Sequence, residues 1–270
     1  METDVTRDMS PDAFVELVEE MVNRRRLCDH PFLDRLERGE VTRGQIDKIC
    51  YQMMYYYNNS VRNIGSCLMH NMDRGARTAI MENLIDEETE QRCGYAAHYV
   101  IALDFAAACG YDRKEIEQAN LRGEIRPHPA LEEGLEDVAR FGTREEPALA
   151  MAAGMVGAES LLPDFYIRLV PSLKPYGFSD KDLDIFIVHI EGDLEHAAEG
   201  RKLIRAYADT PERRQRFYAI CEYVRDRLWE AWDGVFQAAD LDLPQAVHPR
   251  KPAPPRKPRK AAKKKLKKAA

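Results

Sequence analysis

The 270-residue sequence lacks several features that mark common protein classes. It has no run of 18 or more apolar residues, so we expect no membrane-spanning helix. Its six cysteines are scattered without a C-x-x-C pair, which favours reduced thiols in a cytoplasm over a disulfide framework or a structural zinc site. The acidic N-terminal sequence lacks the apolar stretch of a secretory signal. Glycine-rich phosphate loops, internal repeats and alternating strand patterns are also missing, which argues against nucleotide-binding and β-rich folds.

Acidic residues are missing from the end of the chain. Residues 250–268 contain 11 Lys and Arg and no acid, whereas the rest of the chain has 29 basic and 46 acidic residues. This segment has one bulky apolar residue and cannot bury enough surface to fold. We therefore predict a flexible N-terminus at 1–9, a domain at 10–240 and a disordered basic tail at 241–270. The tail either contacts nucleic acid or an anionic surface weakly by charge alone, or is simply solvated.

Helix signals dominate the remaining sequence, and its 44% hydrophobic residues are enough for one large core. The N-cap residues Ser10 and Ser179, and the pair Thr42 and Gln45 with capping-box spacing, mark helix starts. We predict an all-α bundle whose functional site lies between facing helices. The main predicted helices cover residues 10–26, 42–70, 73–91, 95–109, 129–141, 147–169, 182–203 and 210–238.

The helix predicted at 182–203 carries polar residues on the face that should be buried. His189, Asp193 and His196 are spaced i, i+4 and i+7, so their side chains lie within about 60° of one another around the helix axis. Burial of two imidazoles and a carboxylate is unfavourable unless each has a partner, and a metal ion suits all three. The alternative is a helix with two hydrogen-bonded core histidines and an aspartate placed there by chance.

A single carboxylate interrupts another apolar helix. Glu159 is the only charged residue between residues 148 and 162, and small or apolar residues surround it at helical spacing. Such a carboxylate either stays neutral with a raised pKa or meets a cation. The alternative is a helix that turns Glu159 towards solvent.

The acidic segment 83–98 offers further candidate ligands. Glu87 and His98 are eleven residues apart, which is about 16 Å along a straight helix, too far for one metal centre. Either only one of them is a ligand, or the helix breaks between them, and Cys93-Gly94 is a plausible break. Most glutamates of this segment are expected on an exposed acidic face.

The inward-facing candidates form a set of three imidazoles and three carboxylates. This mixture suits two iron or manganese ions better than one zinc ion. This set of ligands resembles the one that di-iron carboxylate proteins place in the core of a helical bundle, although the E-x-x-H pairs of the ferritin-like type are missing. The set is Glu87, His98, Glu159, His189, Asp193 and His196.

Four segments together resemble the heme-oxygenase-like di-iron oxidases and oxygenases, relatives of pyrroloquinoline-quinone synthase and of thiaminase-like proteins. They are HPF at 30–32, NLIDEE at 83–88 followed by His98, AESLLP at 158–163 and HIEGDLEH at 189–196. The resemblance implies a heme-oxygenase-like bundle of about seven core helices that binds two Fe(II) ions, or manganese, with the six ligands above. Counting back from His98 favours Glu88, so the family pattern leaves Glu87 and Glu88 as alternatives.

The resemblance also implies a chemistry. Members of this family use dioxygen as co-substrate to N-oxygenate, cleave or decarboxylate small molecules, so we expect an amino-acid-like substrate and a role in natural-product or cofactor biosynthesis. A homodimer is possible. By placement, Tyr56, Tyr57, Asn59 and Arg62 are candidates for contacts around the metals or with substrate. Arg62 could pair with a substrate carboxylate or form a surface ion pair with one of the many acidic residues.

Two branches of the family fit less well. One branch makes p-aminobenzoate from its own tyrosine with the help of a lysine, and those positions here are Leu33 and Leu169. The metal-free pyrroloquinoline-quinone synthase has basic residues that fall here on Met53 and Asn63, and it lacks a histidine where His189 stands. A metal-free oxidase of that kind is the first alternative. A non-catalytic helical protein that binds partners through its basic tail is the second.

Overall fold

The computed structural model describes residues 5, 9–70, 73–89, 95–144 and 147–240, and this part of the chain contains helices but no strand. The prediction of an all-α fold is therefore confirmed. The helices are α1 (Pro11–Val22), α2 (Pro31–Glu37), α3 (Arg43–Ser66), α4 (Arg74–Glu88), α5 (His98–Ala108), α6 (Arg113–Leu121), α7 (Pro129–Arg144), α8 (Pro147–Gly157), α9 (Leu162–Leu173), α10 (Asp184–Tyr207) and α11 (Pro211–Asp240).

The helix starts follow from the capping residues. The Ser10 hydroxyl accepts a hydrogen bond from the backbone of α1. Thr42 and Gln45 form both halves of a capping box at the start of α3. Ser179 also forms a capping box, but it caps a short 3-10 turn at Asp180–Leu183 that leads into α10. These bonds satisfy backbone N–H groups that a helix start otherwise leaves without acceptors.

The prediction of one continuous helix over 147–169 is wrong. The backbone leaves the helical conformation at Ala158, with φ −121° and ψ −64°, and a 3-10 turn at Glu159–Leu161 separates α8 from α9. The physical reason is Pro163, which lacks an N–H and whose ring would clash with the carbonyl of Glu159 in a continuous helix. Proline is instead accommodated in the first turn of α9. The break places Glu159 in an irregular segment rather than on a regular helix face.

The described residues form eleven α-helices, a number that includes the short helices α2 and α6 and counts the two parts of the broken helix, α8 and α9, separately. The long helices α10 and α11 each pack on several others. Helix α10 packs on α8 and α9, and α11 packs on α3, α7 and α8. A single cluster of buried apolar residues extends through these helices.

Helices α10 and α8 approach each other closely at Gly200 of α10. A Cβ at this position would come within 2.7 Å of Met155 Cβ and 2.9 Å of Val156 Cγ2, both on α8. Only glycine permits this approach without displacement of α8. The contact brings α10 close to the end of α8 that leads into Glu159.

In the described part of the chain, no helix has both the length and the apolar character needed to cross a membrane. The predicted basic tail at 241–270 and the predicted break at Cys93-Gly94 lie outside the described residues.

Candidate metal centre

The six predicted ligand residues lie in two groups of three inside the bundle. Within each group, one donor atom from every residue lies within 4.8 Å of the others, a spacing that could hold one metal ion. The two groups meet on α10, which contributes His189 to the first and both Asp193 and His196 to the second. Glu87 and His98 complete the first group, and Glu159 completes the second.

In the first group, Glu87 and His98 can meet because they lie on two different helices and not on one straight helix. Glu87 lies in the last turn of α4 and His98 is the first residue of α5. Their side chains meet directly, with His98 Nδ1 donating to Glu87 Oε2 at 2.8 Å. The ring of His189 lies 4.5 Å from that of His98, centroid to centroid. His98 Nε2 is buried and has no hydrogen-bond partner among the described residues, as expected of an atom that faces a metal site.

Electrostatics in the first group favour a charged Glu87 carboxylate and a neutral His189 ring. Burial alone would raise the pKa of Glu87, but the adjacent His98 outweighs burial and lowers this pKa to about 2. Burial, reinforced by the nearby His98, lowers the pKa of His189 to about 4. The Nδ1 of His189 donates to the carbonyl of Ile185 at 2.6 Å. The neutral ring therefore carries its lone pair on Nε2, the nitrogen left for a metal.

The second group combines two carboxylates with one imidazole. His196 Nδ1 lies 3.0 Å from Glu159 Oε2 and 3.8 Å from Asp193 Oδ1. Neither contact has the geometry of a hydrogen bond to His196 Nδ1. Asp193 Oδ2 is also buried and has no hydrogen-bond partner among the described residues. Asp193 is 2% exposed, so its carboxylate has almost no access to water. Donor atoms that converge in this way without bonding one another fit a shared cation.

The charges of the second group require a positive partner. Burial raises the pKa of Asp193 well above its ordinary value, and repulsion from Glu159 adds to this. Burial would lower the pKa of His196, but Glu159 outweighs it and raises this pKa to about 10. A proton on His196 thus supplies the positive charge that the two carboxylates need. A bound metal cation could take over that role.

Comparison with known proteins identifies the family. Residues 50–226, a span that contains all six residues, match the family described as iron-containing redox enzymes. The chain belongs to this family. It is therefore an oxidoreductase, as the resemblance in the sequence predicted, and the donor set of both groups is compatible with iron.

Three relatives of this iron-containing redox enzyme are named 4-aminobenzoate synthase. The protein from Nitrosomonas europaea is 29% identical over 85% of this chain and 93% of its own length. The protein from Chlamydia muridarum is 27% identical over 71% of this chain and 77% of its own. The protein from Chlamydia pneumoniae is 25% identical over 80% of this chain and 92% of its own.

Solved structures confirm the heme-oxygenase-like fold. A domain of unknown function with this fold from Shewanella denitrificans superposes with a TM-score of 0.66, at 16% identity, over 87% of this chain and 95% of its own. A TenA homolog from Pseudomonas syringae gives a TM-score of 0.62 at 13% identity, over 84% of this chain and 91% of its own. At these identities the likeness concerns the fold alone.

The residues proposed to surround the metals differ in their distance from the two donor groups and in their exposure. Tyr56 and Tyr57 line a cavity beside the two groups, and the ring of Tyr57 lies 6.1 Å from that of His189. Arg62, by contrast, is exposed and donates to Asn59, which fits the surface position that was its alternative to a substrate contact. Its position on α3 turns it outward, since it lies about 140° around the helix from Tyr57.

The alternative ligand Glu88 lies on the exposed face of the iron-containing redox enzyme. Glu87, its neighbour, is only 9% exposed and points into the first group. Adjacent residues of a helix point about 100° apart, so the helix that buries one exposes the other.

Sequence reasoning missed Asp86, which lies beside the second group. Its Oδ2 is 3.3 Å from His196 Nε2, on the side of the ring opposite Glu159. The acidic run around it gave no signal, because a row of Asp and Glu on a helix end is usually a solvated surface. Only the packing of α4 near α10 distinguishes Asp86 from its neighbours.

Proposed function

We propose that this protein is a non-heme di-iron oxidase or oxygenase. The observation that carries the proposal is the meeting of two three-residue donor groups on α10, in a member of the iron-containing redox enzymes. Glu87, His98 and His189 would hold one ion, and the second group would hold the other through Glu159, Asp193 and His196. Mixed carboxylate and imidazole donors suit iron, with manganese as the alternative. Two Fe(II) ions bound there would supply electrons for the activation of dioxygen.

The surrounding residues prepare the site for such chemistry. The hydrogen bond from His189 to Ile185 holds the imidazole in one tautomer, and burial keeps the ring neutral. Burial also raises the pKa of Tyr57 and Tyr166 well above 10, so both phenols stay protonated at neutral pH. Their rings pack 6.1 and 5.7 Å from His189 and shield this side of the site from water. A small amino-acid-like substrate would be N-oxygenated, cleaved or decarboxylated beside the metals.

The first test is metal content. Anaerobic loading of the purified chain with Fe(II) should give two iron ions per chain, and exposure to air should then consume dioxygen. His189→Ala should lose bound iron. A chain that binds no iron, consumes no dioxygen and is unaffected by this substitution would contradict the proposal and favour the metal-free oxidase.

Synthesis of 4-aminobenzoate is a second candidate because three relatives carry that name. The positions of the tyrosine and lysine that the resemblance assigns to this reaction are Leu33 and Leu169, which are 0% and 5% exposed. Apolar core side chains there cannot donate a ring or a nitrogen. We therefore expect the iron-loaded chain, incubated with dioxygen and reductant alone, to form no 4-aminobenzoate detectable by mass spectrometry. Its formation would reverse the order of the two candidates.

The alternative of a non-catalytic helical protein that binds partners through its basic tail is not favoured, because the family is described as one of redox enzymes. The basic tail, a homodimer and a cytoplasmic location remain predictions from the sequence.

A further inference from the structure

A cavity of about 130 Å³ extends from the two donor groups into the bundle. Glu87, Glu159, His189 and Asp193 form part of its wall. Most of its other lining residues are apolar or small, and they come mainly from α3, α7, α8 and α11. An apolar protein cavity of about 150 Å³ can bind benzene, so this space fits a ring or a short alkyl chain.

Arg227 is the only arginine or lysine in the described lining of this cavity. Its guanidinium lies over the ring of Tyr223, 5.3 Å from the centroid, and one terminal nitrogen pairs with Glu230. The Nε atom is buried and has no acceptor among the described residues. A buried N–H without an acceptor is unfavourable, and a bound ligand oxygen would relieve that cost.

Arg227 lines the same cavity as the candidate metal ligands but belongs to a different helix, α11. Arg227 precedes Trp232 on α11 by five residues, or about 7.5 Å along the axis. The ring of Trp232 lies 6.3 Å from that of Tyr56, which lines the cavity. Tyr57 follows directly and lies beside His189. Arg227 and the metal ligand His189 therefore line the same cavity, and the aromatic residues Trp232, Tyr56 and Tyr57 connect their two helices.

We propose that Arg227 binds the carboxylate of a small substrate whose apolar body occupies the cavity and reaches the metal groups. This inference rests on the proposed function and specifies its substrate class. A planar carboxylate matches the guanidinium fork. Beyond the candidate metal ligands, the described lining offers no carboxylate side chain to pair with an ammonium group, so the charge recognised in the cavity is negative.

Gly154 of α8 provides a second way to examine the cavity. A Cβ at this lining position would meet no atom within 4 Å, so a larger side chain would project into the empty space. Gly154→Leu should fill the cavity while the helix stays intact. Gly44, an exposed glycine in the first turn of α3 with no atom near its virtual Cβ, offers the matched control Gly44→Leu.

The test uses the full-length, iron-loaded chain and two probes, 4-fluorobenzoate and its neutral analogue 4-fluorobenzamide, with binding followed by fluorine NMR. The wild type should bind the carboxylate more tightly than the amide. Arg227→Gln should weaken carboxylate binding at least tenfold and leave amide binding within twofold. Arg216→Gln, at an exposed arginine of the same helix, should behave as the wild type. Gly154→Leu should abolish binding of both probes, and Gly44→Leu should not.

The inference is overturned if the wild type binds neither probe or prefers the amide, or if Arg227→Gln binds the carboxylate as the wild type does. Circular dichroism of each variant checks that the helices are retained. Arg227→Lys keeps the positive charge but loses the guanidinium fork, and it should therefore give an intermediate loss of carboxylate affinity. Iron content, measured on the same samples, tests the proposed function separately. A chain without iron contradicts that function, whereas probe binding that does not depend on Arg227 contradicts only the substrate class.

Discussion

His196 lies between Asp86 and Glu159, with Nε2 3.3 Å from Asp86 Oδ2 and Nδ1 3.0 Å from Glu159 Oε2. One ring nitrogen therefore faces the candidate metal position and the other faces a carboxylate outside it. A carboxylate in this position accepts the N–H of a metal-binding histidine, which fixes the tautomer and makes the ligating nitrogen more basic. This contact assigns Asp86 the role of orienting His196, which the acidic segment around Asp86 does not indicate.

Asp86→Ala should lower the affinity for Fe(II) or Mn(II) by about 10–100-fold, because His196 loses the acceptor that orients it. Metal titration followed by calorimetry measures the effect. Asp86→Asn should recover part of the affinity, since its amide oxygen can still accept. Glu82→Ala, at an exposed position of the same helix, is the control and should bind metal as the wild type does. Equal affinities for the alanine variants at 86 and 82 would show that Asp86 does not position His196.

Glu87→Gln should reduce the iron content from two ions per chain towards one, because the first group loses its only carboxylate. Glu88→Gln, one residue along the same helix, should keep both ions because its side chain is exposed. Iron analysis after anaerobic loading and desalting measures both. The reverse result, with iron lost only from the Glu88 variant, would mean that α4 rotates when metal binds.

Gly200→Ala should reduce the free energy of unfolding by about 1–3 kcal/mol, since the added methyl group overlaps Met155 and Val156. The control lies on the same helix: a Cβ at Gly192 meets no atom within 4 Å. Gly192→Ala should therefore leave stability unchanged or raise it by up to about 1 kcal/mol through its higher helix propensity. Urea unfolding followed by circular dichroism compares the two. A similar loss in both variants would mean that the contact between α8 and α10 is less tight than described.

His30→Asn should flatten the dependence of stability on pH between about 7.5 and 5.5. Burial lowers the pKa of His30, although Asp233 partly opposes this. The unfolded chain, with an ordinary histidine pKa of about 6.5, thus takes up the proton more readily as the pH falls. Wild-type stability should decline through this window as acid is added, and the variant should decline less.

Asparagine is a suitable replacement because it can still cap α2, as the His30 ring does through the backbone N–H of Phe32. The measurement is the free energy of unfolding in urea at several pH values. Parallel pH curves for the wild type and the variant would show that His30 does not contribute to acid destabilisation.

The sequence by itself determined the helical fold, most helix starts and the polar residues that interrupt apolar faces. Capping boxes and helical periodicity are local properties, so Thr42, Gln45 and the spacing of His189, Asp193 and His196 could be interpreted without coordinates. Local patterns also indicated that Glu159 and His98 face inward. The family resemblance added the link between these residues and iron chemistry.

The tertiary structure decided which residues meet across helices. The meeting of Glu87 with His98 depends on the turn between α4 and α5, and the position of Glu159 depends on a break that Pro163 imposes on its own backbone. Local patterns offer no reason to prefer Arg227 over Arg62, because both lie on amphipathic helices with charged neighbours. Contacts between distant segments depend on packing of the whole chain, and packing alone turns one arginine to solvent and the other to the cavity.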